Sequence, residues 1–340
     1  MQIKTEAELE EFLSRPSDAD VAAMAQLDGD LLILGVGGKM GPSLARRARR
    51  AIQNAKVRKK IVAVARFSDN RLRDSLESDG IATVVCDLLQ PGALAKLPDI
   101  KNAIFMAARK FGTTGSEDLT WAMNTLLPAL VAERYRKSRV VAFSTGNVYP
   151  LTDVTCGGAD ESTLTAPQGE YAQSALGRER MFEYGSRQSG TPVVILRLNY
   201  AIDLRYGVLR DIGTAVFERR PIDLRMGFVN VIWQGDANSV CLRSFAHCQS
   251  PPMVLNVTGP ETLPVRRIAE EFGRRFGLRP EFTSEEMPTA LLSNAAKANL
   301  LFGRPAVTIS EMIDWTAAWI SSGGTCLNKP THFEVRDGKF

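Results

Sequence analysis

Short apolar runs alternate with helix-compatible stretches from about residue 30 to residue 200 of this chain. The runs end in glycine or polar residues, as buried strands of a parallel sheet do. Strand and helix in this alternation predict an α/β fold, specifically a doubly wound parallel sheet of the Rossmann type. The predicted strands lie at residues 30–38, 60–67, 82–88, 102–108, 139–145 and 191–198.

The two ends of the chain follow other patterns. Thr5 and Glu8 have the spacing of a capping box, so the first residues read as a helical extension. After residue 200 the apolar runs are looser and are interrupted by proline and glycine. We therefore predict a helical extension at 1–29, a Rossmann domain at 30–200, and a smaller C-terminal substrate lobe at 201–340 that interleaves with it.

Composition and charge exclude several classes of protein. The 340 residues are 44% hydrophobic and 24% charged, which is typical of a globular protein. A net charge of +4 does not argue for a nucleic-acid partner. The basic clusters at 45–53 and 134–139 are expected on solvated helix faces, with an anionic ligand or partner as the alternative.

The chain shows no sign of a membrane, an export signal or a metal. No apolar run approaches the roughly 20 residues that span a bilayer, and the acidic N-terminus lacks a signal pattern. The five cysteines are odd in number and lack CxxC spacing, which predicts reduced thiols. His247 and Cys248 have no further zinc-spaced ligands, so no metal site is predicted. We expect a cytoplasmic protein.

A glycine-rich loop joins the first predicted strand to the first predicted helix. Glycines let the backbone approach a phosphate closely, and the helix N-terminus offers free N–H groups and a positive dipole end. A GxxGxxG motif in this position predicts a dinucleotide site, with a ligand-free glycine turn as the alternative. The candidate contacts are Gly35, Gly37, Gly38, Lys39, Met40 and Gly41.

The end of the second predicted strand indicates which dinucleotide binds. An acid there suits the ribose hydroxyls of NAD, whereas an arginine suits the 2′-phosphate of NADP. Arg66 occupies this position, and no acid follows until Asp69. NADP is therefore favoured over NAD, unless Arg66 stacks over the adenine or points to solvent. Asp87 and Leu88, after the third strand, are candidate adenine contacts.

Together these motifs resemble the extended short-chain dehydrogenase/reductase family, which includes sugar-nucleotide epimerases and dehydratases. GVGGKMG matches the family's phosphate loop, and FMAA matches the end of the fourth strand, with Ala107 and Ala108 beside the cofactor. FSTGNVYP at 143–150 matches the strand that carries the catalytic hydroxyl group, and LRLNY at 196–200 matches the segment that leads into the substrate lobe. The resemblance covers about residues 30–320.

The resemblance implies hydride transfer between a nicotinamide and a carbinol or carbonyl carbon of a sugar or nucleotide sugar. Tyr171 matches the tyrosine that moves the proton. Thr145 matches the catalytic hydroxyl residue, with Ser144 as the fallback, and Asn124 matches the supporting asparagine. Ser144, Asn147 and Asn199 are the implied substrate contacts.

The family also implies an oligomeric state, because its members often dimerise through two long helices. In this chain those helices would lie at about 117–137 and 170–189. We therefore expect a homodimer.

One position departs from the family pattern. The family places a lysine one helical turn after the tyrosine, where it lowers a phenol pKa that is normally about 10 and holds the nicotinamide ribose. Here that position is Ala175, and no lysine occurs between Lys137 and Lys297. Arg178 and Lys110 are nearby cations, but neither is a replacement that the family pattern supports.

The missing lysine leaves more than one hypothesis. An active NAD(P)-dependent oxidoreductase or epimerase/dehydratase is favoured, because Thr145, Tyr171, Asn124 and Asn199 all occupy their places. A catalytically silent NAD(P)-binding sensor or scaffold is the alternative, because of Ala175. A scaffold without any cofactor is the third reading.

Overall fold

The computed structural model describes residues 3–110, 112 and 115–338. Its centre is a seven-stranded sheet in which all neighbouring strands are parallel. The sheet strands are β1 (Leu31–Leu34), β2 (Ile61–Ala65), β3 (Ala82–Val85), β4 (Asn102–Phe105), β5 (Arg139–Thr145), β7 (Val193–Leu198) and β12 (Met253–Val257). Two-residue strands form four small pairs outside it: β6 (Thr152–Asp153) with β15 (Thr289–Ala290), β8 (Ala201–Ile202) with β11 (Ile232–Trp233), β9 (Ile222–Asp223) with β14 (Phe282–Thr283), and β10 (Phe228–Val229) with β13 (Leu263–Pro264).

Helices cover both faces of the sheet and build the C-terminal lobe. They are α1 (Glu6–Ser14), α2 (Asp18–Gln26), α3 (Gly41–Asn54), α4 (Asn70–Ser78), α5 (Glu117–Trp121), α6 (Leu127–Arg134), α7 (Gly169–Ser189), α8 (Val208–Phe217), α9 (Gln234–Arg243), α10 (Val265–Phe276), α11 (Ala296–Phe302) and α12 (Ile309–Ser321). A π-helical turn, Ala122–Leu126, joins α5 to α6, and single 3₁₀ turns lie at Leu94–Lys96, Gly146–Val148 and Ser244–His247.

The strand order is β12-β7-β5-β4-β1-β2-β3. The chain therefore builds the sheet outward from β1 in one direction and from β4 in the other, which confirms the doubly wound fold. Ligands of such sheets bind in the crevice where the strand order reverses. The glycine loop after β1 and Ala107 after β4 both lie at this crevice, because β1 and β4 are neighbours.

Alternating residues of the sheet point into two different apolar cores. Leu31 and Ile33 face one core, whereas Leu32 and Leu34 face the other, so the central strands are buried on both sides and the edge strand β3 is partly exposed. A third core lies in the C-terminal lobe around Trp233. This double burial explains why the strands appear in the sequence as continuous apolar runs.

The seventh strand of the sheet comes from beyond residue 200. Residues 253–257 read in sequence as part of the smaller lobe, but β12 pairs with β7 along its whole length. The segment after residue 200 therefore contributes a strand to the Rossmann sheet, which the sequence pattern does not indicate. The domain boundaries themselves stay a prediction.

The N-terminal extension is a pair of capped helices, and the predicted capping box at Thr5 is present. These helices cover the basic face of α3. Arg47 forms a buried ion pair with Asp20 at 2.7 Å, and Arg46 binds Glu10 at 2.9 Å. The expectation that cluster 45–53 is a solvated face is therefore wrong, because these guanidinium groups serve as anchors for α1 and α2.

Three sequence-based exclusions can be compared with the described part of the chain. It contains no helix long and apolar enough to cross a membrane. It also contains no group of histidine, cysteine and acidic side chains that could hold a metal ion. All five cysteines are free thiols.

Candidate active site

The glycine loop is shaped by close contacts with its neighbours. Gly35 has a φ of +92°, and a Cβ on it would lie 2.6 Å from the Ala107 nitrogen. A Cβ on Gly41 would lie 2.1 Å from the Val36 carbonyl oxygen. A Cβ on Gly38 would meet nothing nearer than the Gly35 oxygen at 3.6 Å. Gly35 and Gly41 are therefore required by the fold, whereas Gly38 borders open space.

The two kinds of glycine predict two different mutant phenotypes. We expect Gly41→Ala to lower the free energy of unfolding by about 1–3 kcal/mol, because the new methyl group overlaps backbone. We expect Gly38→Ala to change stability by less than about 0.5 kcal/mol but to weaken dinucleotide binding about tenfold or more. Urea unfolding and cofactor titration of both variants check this. Equal effects of the two substitutions on stability would contradict it.

The N-terminus of α3 is free to bind an anion. Its N-cap residue, Met40, makes no side-chain hydrogen bond to the first turn, and Pro42 lies in that turn. Lys39 projects from the loop, and its amino group lies 2.9 Å from the centroid of the Tyr206 ring. Burial, together with the charges of Lys110 and Lys329, lowers the pKa of Lys39 to about 7. A bound phosphate would favour the charged form of this amine.

The other predicted cofactor residues occupy three different settings. Arg66 is exposed directly after β2. The Asp87 carboxylate accepts a hydrogen bond from the Leu89 amide at 3.1 Å, and the Leu88 side chain packs in the core beneath the sheet. Ala107 is buried beside Gly35, and Ala108 lines a cavity at the crevice.

This cavity, of about 260 Å³, contains the predicted catalytic pair. Tyr171 lies in the first turn of α7, and Thr145 is the last residue of β5. Both side chains line the cavity. Burial raises the pKa of Tyr171, and the charge of Arg178 and the Thr145 hydroxyl group partly oppose that rise. The fold thus places an acid–base group and a hydroxyl partner on one cavity wall.

Asn124 lies in the π-helical turn and is fully bonded. Its Oδ1 accepts from the Arg109 amide at 2.9 Å and from an Arg178 Nη at 2.8 Å. Its Nδ2 donates to the Arg109 carbonyl at 2.8 Å and to the Ser174 hydroxyl at 3.0 Å. An amide side chain has two donors and two acceptor sites, so none remains for a ligand. Asn124 therefore connects α7 to the segment that leaves β4.

At the position of the family's lysine, this chain has a buried alanine that packs against apolar neighbours. Ala175 is fully buried in an apolar cluster with Val148, Tyr149 and Ala159. Both cations that the sequence leaves as candidates reach the cavity instead. The Lys110 amino group lies 5.8 Å from the centroid of the Tyr171 ring, and burial lowers its pKa to about 8.

The predicted substrate residues also line the cavity, but they differ in what they can still bind. The Ser144 hydroxyl donates to Glu179, so only its lone pairs are left for a ligand. Asn147 lies beside Thr145, with an Asn147 Oδ1 to Thr145 Oγ1 distance of 2.9 Å. Asn199 donates to the Leu291 carbonyl at 3.4 Å. The structure thus brings all three to the same wall.

The sequence gives no signal for several cavity residues. Tyr206, Gly207 and Val208 come from around the start of α8 in the C-terminal lobe, and Thr331 comes from the irregular segment after α12. Thr331 is held there by Asp211, whose carboxylate accepts from both its amide and its hydroxyl group. These residues belong to no motif, and only the tertiary fold brings them to the cavity.

A buried ion pair lies directly behind the cavity. Arg197 in β7 donates to both carboxylate oxygens of Glu179 in α7, at distances of 2.7–3.2 Å. Arg197 also donates to the Tyr149 hydroxyl, which in turn donates to Asn256 Oδ1 in β12. Together with the Ser144 bond to Glu179, these contacts connect α7 to β5, β7 and β12.

The arginines after residue 200 are mostly engaged with nearby acids. Arg205 binds Asp203 and Glu10, Arg220 binds Glu218, and Arg225 binds Asp223. Arg219 is exposed. Arg210 is different, because it lines a second cavity of about 390 Å³ next to Tyr206. Its Nε is buried and has no hydrogen-bond partner within the described residues.

Comparison with known proteins agrees with this architecture. Residues 31–202 match the model of the NAD dependent epimerase/dehydratase family. No curated protein sequence matches the chain.

Solved structures share the fold at low sequence identity. A UDP-glucuronic acid 4-epimerase from Bacillus cereus, in complex with UDP-glucuronic acid and NAD, superposes with a TM-score of 0.70 at 17% identity, covering 86% of this chain and 99% of its own. A UDP-glucose 4-epimerase from Thermotoga maritima, with UDP-glucose, has a TM-score of 0.70 at 14% identity over 86% of this chain and 99% of its own. Pal from Bacillus thuringiensis gives 0.70 at 16% identity over the same shares, 86% and 99%.

The family match includes the glycine loop, Asn124, Thr145, Tyr171 and Asn199, which are the residues that carry the resemblance in the sequence. The structural comparison supports the same fold over most of the chain. This protein belongs to the NAD-dependent epimerase/dehydratase family, a branch of the extended short-chain dehydrogenases/reductases.

Proposed function

We propose that this protein is an NAD(P)-dependent epimerase, dehydratase or reductase that acts on a nucleotide sugar by hydride transfer. The observation that carries this proposal is the placement of Tyr171 and Thr145 together on the wall of the cavity. That cavity opens where the strand order reverses, beside the glycine loop. A proton-transfer pair next to a dinucleotide site is the arrangement that hydride transfer at a carbinol requires.

The residues present fit a dinucleotide. Gly38 borders open space, the N-terminus of α3 lacks a side-chain cap, and Lys39 adds a positive charge at the same place. The glycine loop would hold the diphosphate, Arg66 would face the adenosine ribose, and Ala107 and Ala108 would line the path toward the nicotinamide. The nicotinamide, when bound, supplies the hydride acceptor.

The protein groups supply proton transfer and orientation. The Tyr171 phenolate takes the proton of the substrate hydroxyl group and becomes the phenol. The Thr145 hydroxyl, which donates to Asn147 Oδ1 in this structure, would turn to donate to the substrate oxygen. Burial excludes water from the pair, which prevents competing exchange of the proton. Asn147 and Asn199 orient the sugar from the same wall.

The second cavity supports a nucleotide-linked substrate. It adjoins the first through Tyr206, which lines both, and it presents Arg210 with a buried Nε–H group. A guanidinium group is suited to a diphosphate. The solved relatives from Bacillus cereus and Thermotoga maritima hold UDP-linked sugars, which supports this class of substrate.

A catalytically silent NAD(P)-binding protein is the second candidate, and Ala175 is the observation that favours it. Ala175 supplies no positive charge to oppose the burial that keeps the Tyr171 phenol protonated. A sensor or scaffold would need the cofactor site but not the proton-transfer pair.

One experiment separates these functions. The purified protein is titrated with NAD and NADP, and then incubated with UDP-linked hexoses and uronates while products are resolved by chromatography. The proposal expects conversion of at least one nucleotide sugar. Saturable cofactor binding without conversion of any of them would favour the silent candidate. Absence of any cofactor-induced rise in melting temperature would reject both.

The cofactor preference depends on Arg66. We expect Arg66→Ala to weaken NADPH binding about tenfold while leaving NADH binding nearly unchanged, because an exposed guanidinium at the end of β2 meets only the extra phosphate. Fluorescence titration of both reduced cofactors measures this. Tighter binding of NADH than NADPH by the unaltered protein would contradict the preference for NADP.

A homodimer is supported by exposed apolar side chains on α5, α6, α7 and the π-helical turn. These side chains are Leu119, Trp121, Leu126, Leu130 and Tyr184. Monomeric proteins seldom expose a large contiguous apolar patch. We expect Leu126→Asp to convert the dimer to a monomer in light scattering, whereas Leu300→Asp, at a position that is 86% exposed on α11, leaves the mass unchanged. A monomeric unaltered protein would contradict this.

A further inference from the structure

The mechanism proposed for Tyr171 needs a positive charge near its hydroxyl group, and the family's lysine, which would supply that charge, is absent. Burial raises the pKa of this phenol, which opposes its use as a base. A nearby positive charge is the usual remedy, because it stabilises the phenolate. Ala175 cannot supply it, since its side chain is a methyl group packed among Val148, Tyr149 and Ala159.

Arg178 occupies a suitable place two turns along the same helix. Its guanidinium lines the cavity together with Tyr171 and Thr145. One Nη donates to the Phe143 carbonyl at 2.8 Å, and the other donates to Asn124 Oδ1 at 2.8 Å. These two bonds fix the group between the end of β5 and the π-helical turn.

The third nitrogen of this guanidinium group, Nε, donates to no group of the described protein. The Nε–H of Arg178 is buried and has no hydrogen-bond partner within the described residues. A buried donor left unbonded costs about 1–3 kcal/mol, so it indicates an acceptor that the protein chain does not provide. A ligand oxygen in the cavity would supply that acceptor.

We propose that Arg178 is the positioning residue that replaces the family's lysine, holding a fixed positive charge beside the Tyr171 hydroxyl from the Asn124 and Phe143 anchors. The proposal rests on the function proposed above, because it assigns the charge on which Tyr171 depends. It also explains why the lysine position can be an alanine.

The other charged and titratable groups around Tyr171 come from different elements. Lys110 follows β4, Tyr206 precedes α8, and Lys39 lies beside Tyr206. Burial lowers the pKa of both Lys110 and Arg178, but it brings the Lys110 pKa to about 8, so that this amine loses charge in mildly basic solution. A guanidinium keeps its charge over that range. Glu179 lies next to Arg178 in the chain, and its carboxylate is bound to Arg197.

The test measures the Tyr171 pKa directly, in the absence of substrate. Tyrosines are labelled with ¹³C at Cζ, the Tyr171 signal is assigned with Tyr171→Phe, and its pH titration is followed in Arg178→Met and Arg178→Lys. We expect Arg178→Met to raise the Tyr171 pKa by about one unit or more, and Arg178→Lys to raise it by less. The ascending limb of the pH–rate profile, where the phenolate forms, should move to higher pH, because loss of the cation destabilises the phenolate.

Two matched variants define the outcomes. Arg180→Met removes an exposed arginine of the same helix, which pairs with Glu183, and should leave the titration unchanged. Lys110→Met tests the competing cation. A Tyr171 pKa that moves with Lys110→Met but not with the Arg178 variants overturns the proposal, as does one that moves with neither. Should Arg178→Met fail to fold, Arg178→Lys and Lys110→Met still decide between the two cations.

The outcome for Arg178 is separable from the outcome for the proposed function. A shifted Tyr171 pKa in a protein that converts no nucleotide sugar would retain the electrostatic assignment and reject the enzyme. Turnover with an unshifted Tyr171 titration would retain the enzyme and reject the assignment.

Discussion

Replacing Tyr171 with phenylalanine is expected to reduce turnover of a nucleotide sugar by about 10²–10⁴-fold while leaving cofactor affinity unchanged. The substitution removes only the hydroxyl group of Tyr171 and keeps the ring that lines the cavity. Proton transfer then has no positioned acceptor, whereas the glycine loop is unaffected. Steady-state rates and cofactor titration, measured on the same preparation, test both parts.

Tyr135→Phe provides the matched control. Tyr135 is another buried tyrosine, near the end of α6, and its hydroxyl has no hydrogen-bond partner within the described residues. Its removal should leave turnover unchanged. An active Tyr171→Phe variant would show that the proton moves by another route, and the roles of Thr145 and Tyr171 in proton transfer would have to be abandoned.

Replacing Glu179 with alanine is expected to lower the free energy of unfolding by about 3–5 kcal/mol. Arg197 would then be a buried charge without its carboxylate, and the Ser144 hydroxyl would lose its acceptor. The effect is large because the cost arises from desolvation of the remaining cation rather than from one lost contact. Unfolding in urea, followed by circular dichroism, measures it.

The control lies on the same helix. Glu183 pairs with Arg180 and Arg187 at the surface, and Glu183→Ala should cost no more than about 1 kcal/mol. Similar losses of stability in the two variants would show that burial of the ion pair does not set the cost. We also expect Glu179→Ala to lower activity, because its loss releases α7, which carries Tyr171.

The sequence predicts six of the seven strands of the central sheet, because a strand that is buried on both faces must be apolar throughout. It fails for β12, whose five residues look the same as other short runs in the smaller lobe. Nothing local in Met253–Val257 indicates that it will pair with β7, some sixty residues earlier in the chain. Pairing between distant segments depends on how the whole lobe folds back, and periodicity carries no information about that.

The residues of the candidate site also fall into two groups, those that local sequence spacing locates and those that it does not. Gly35, Gly41 and Thr145 occupy positions fixed by a turn or a strand end, so spacing alone locates them. Thr331 and Tyr206 reach the cavity only through tertiary contacts. Arg178 is an intermediate case. It follows Tyr171 by seven residues, so the sequence predicts that the two side chains share one face of the helix. Only the anchors at Asn124 and Phe143 show that its guanidinium lies in the cavity.

The two N-terminal helices lie outside the stretch that the family model matches, yet they are not an appendage. Leu9 and Leu13 pack into the core around Trp233, and Met24 packs into one core of the sheet. Asp20 binds both Arg47 in α3 and Ser239 in α9. A version of the protein that begins at the matched region would expose this apolar surface and leave the buried Arg47 without its carboxylate partner. The bounds of the family match are therefore a poor guide to where this folding unit can be cut.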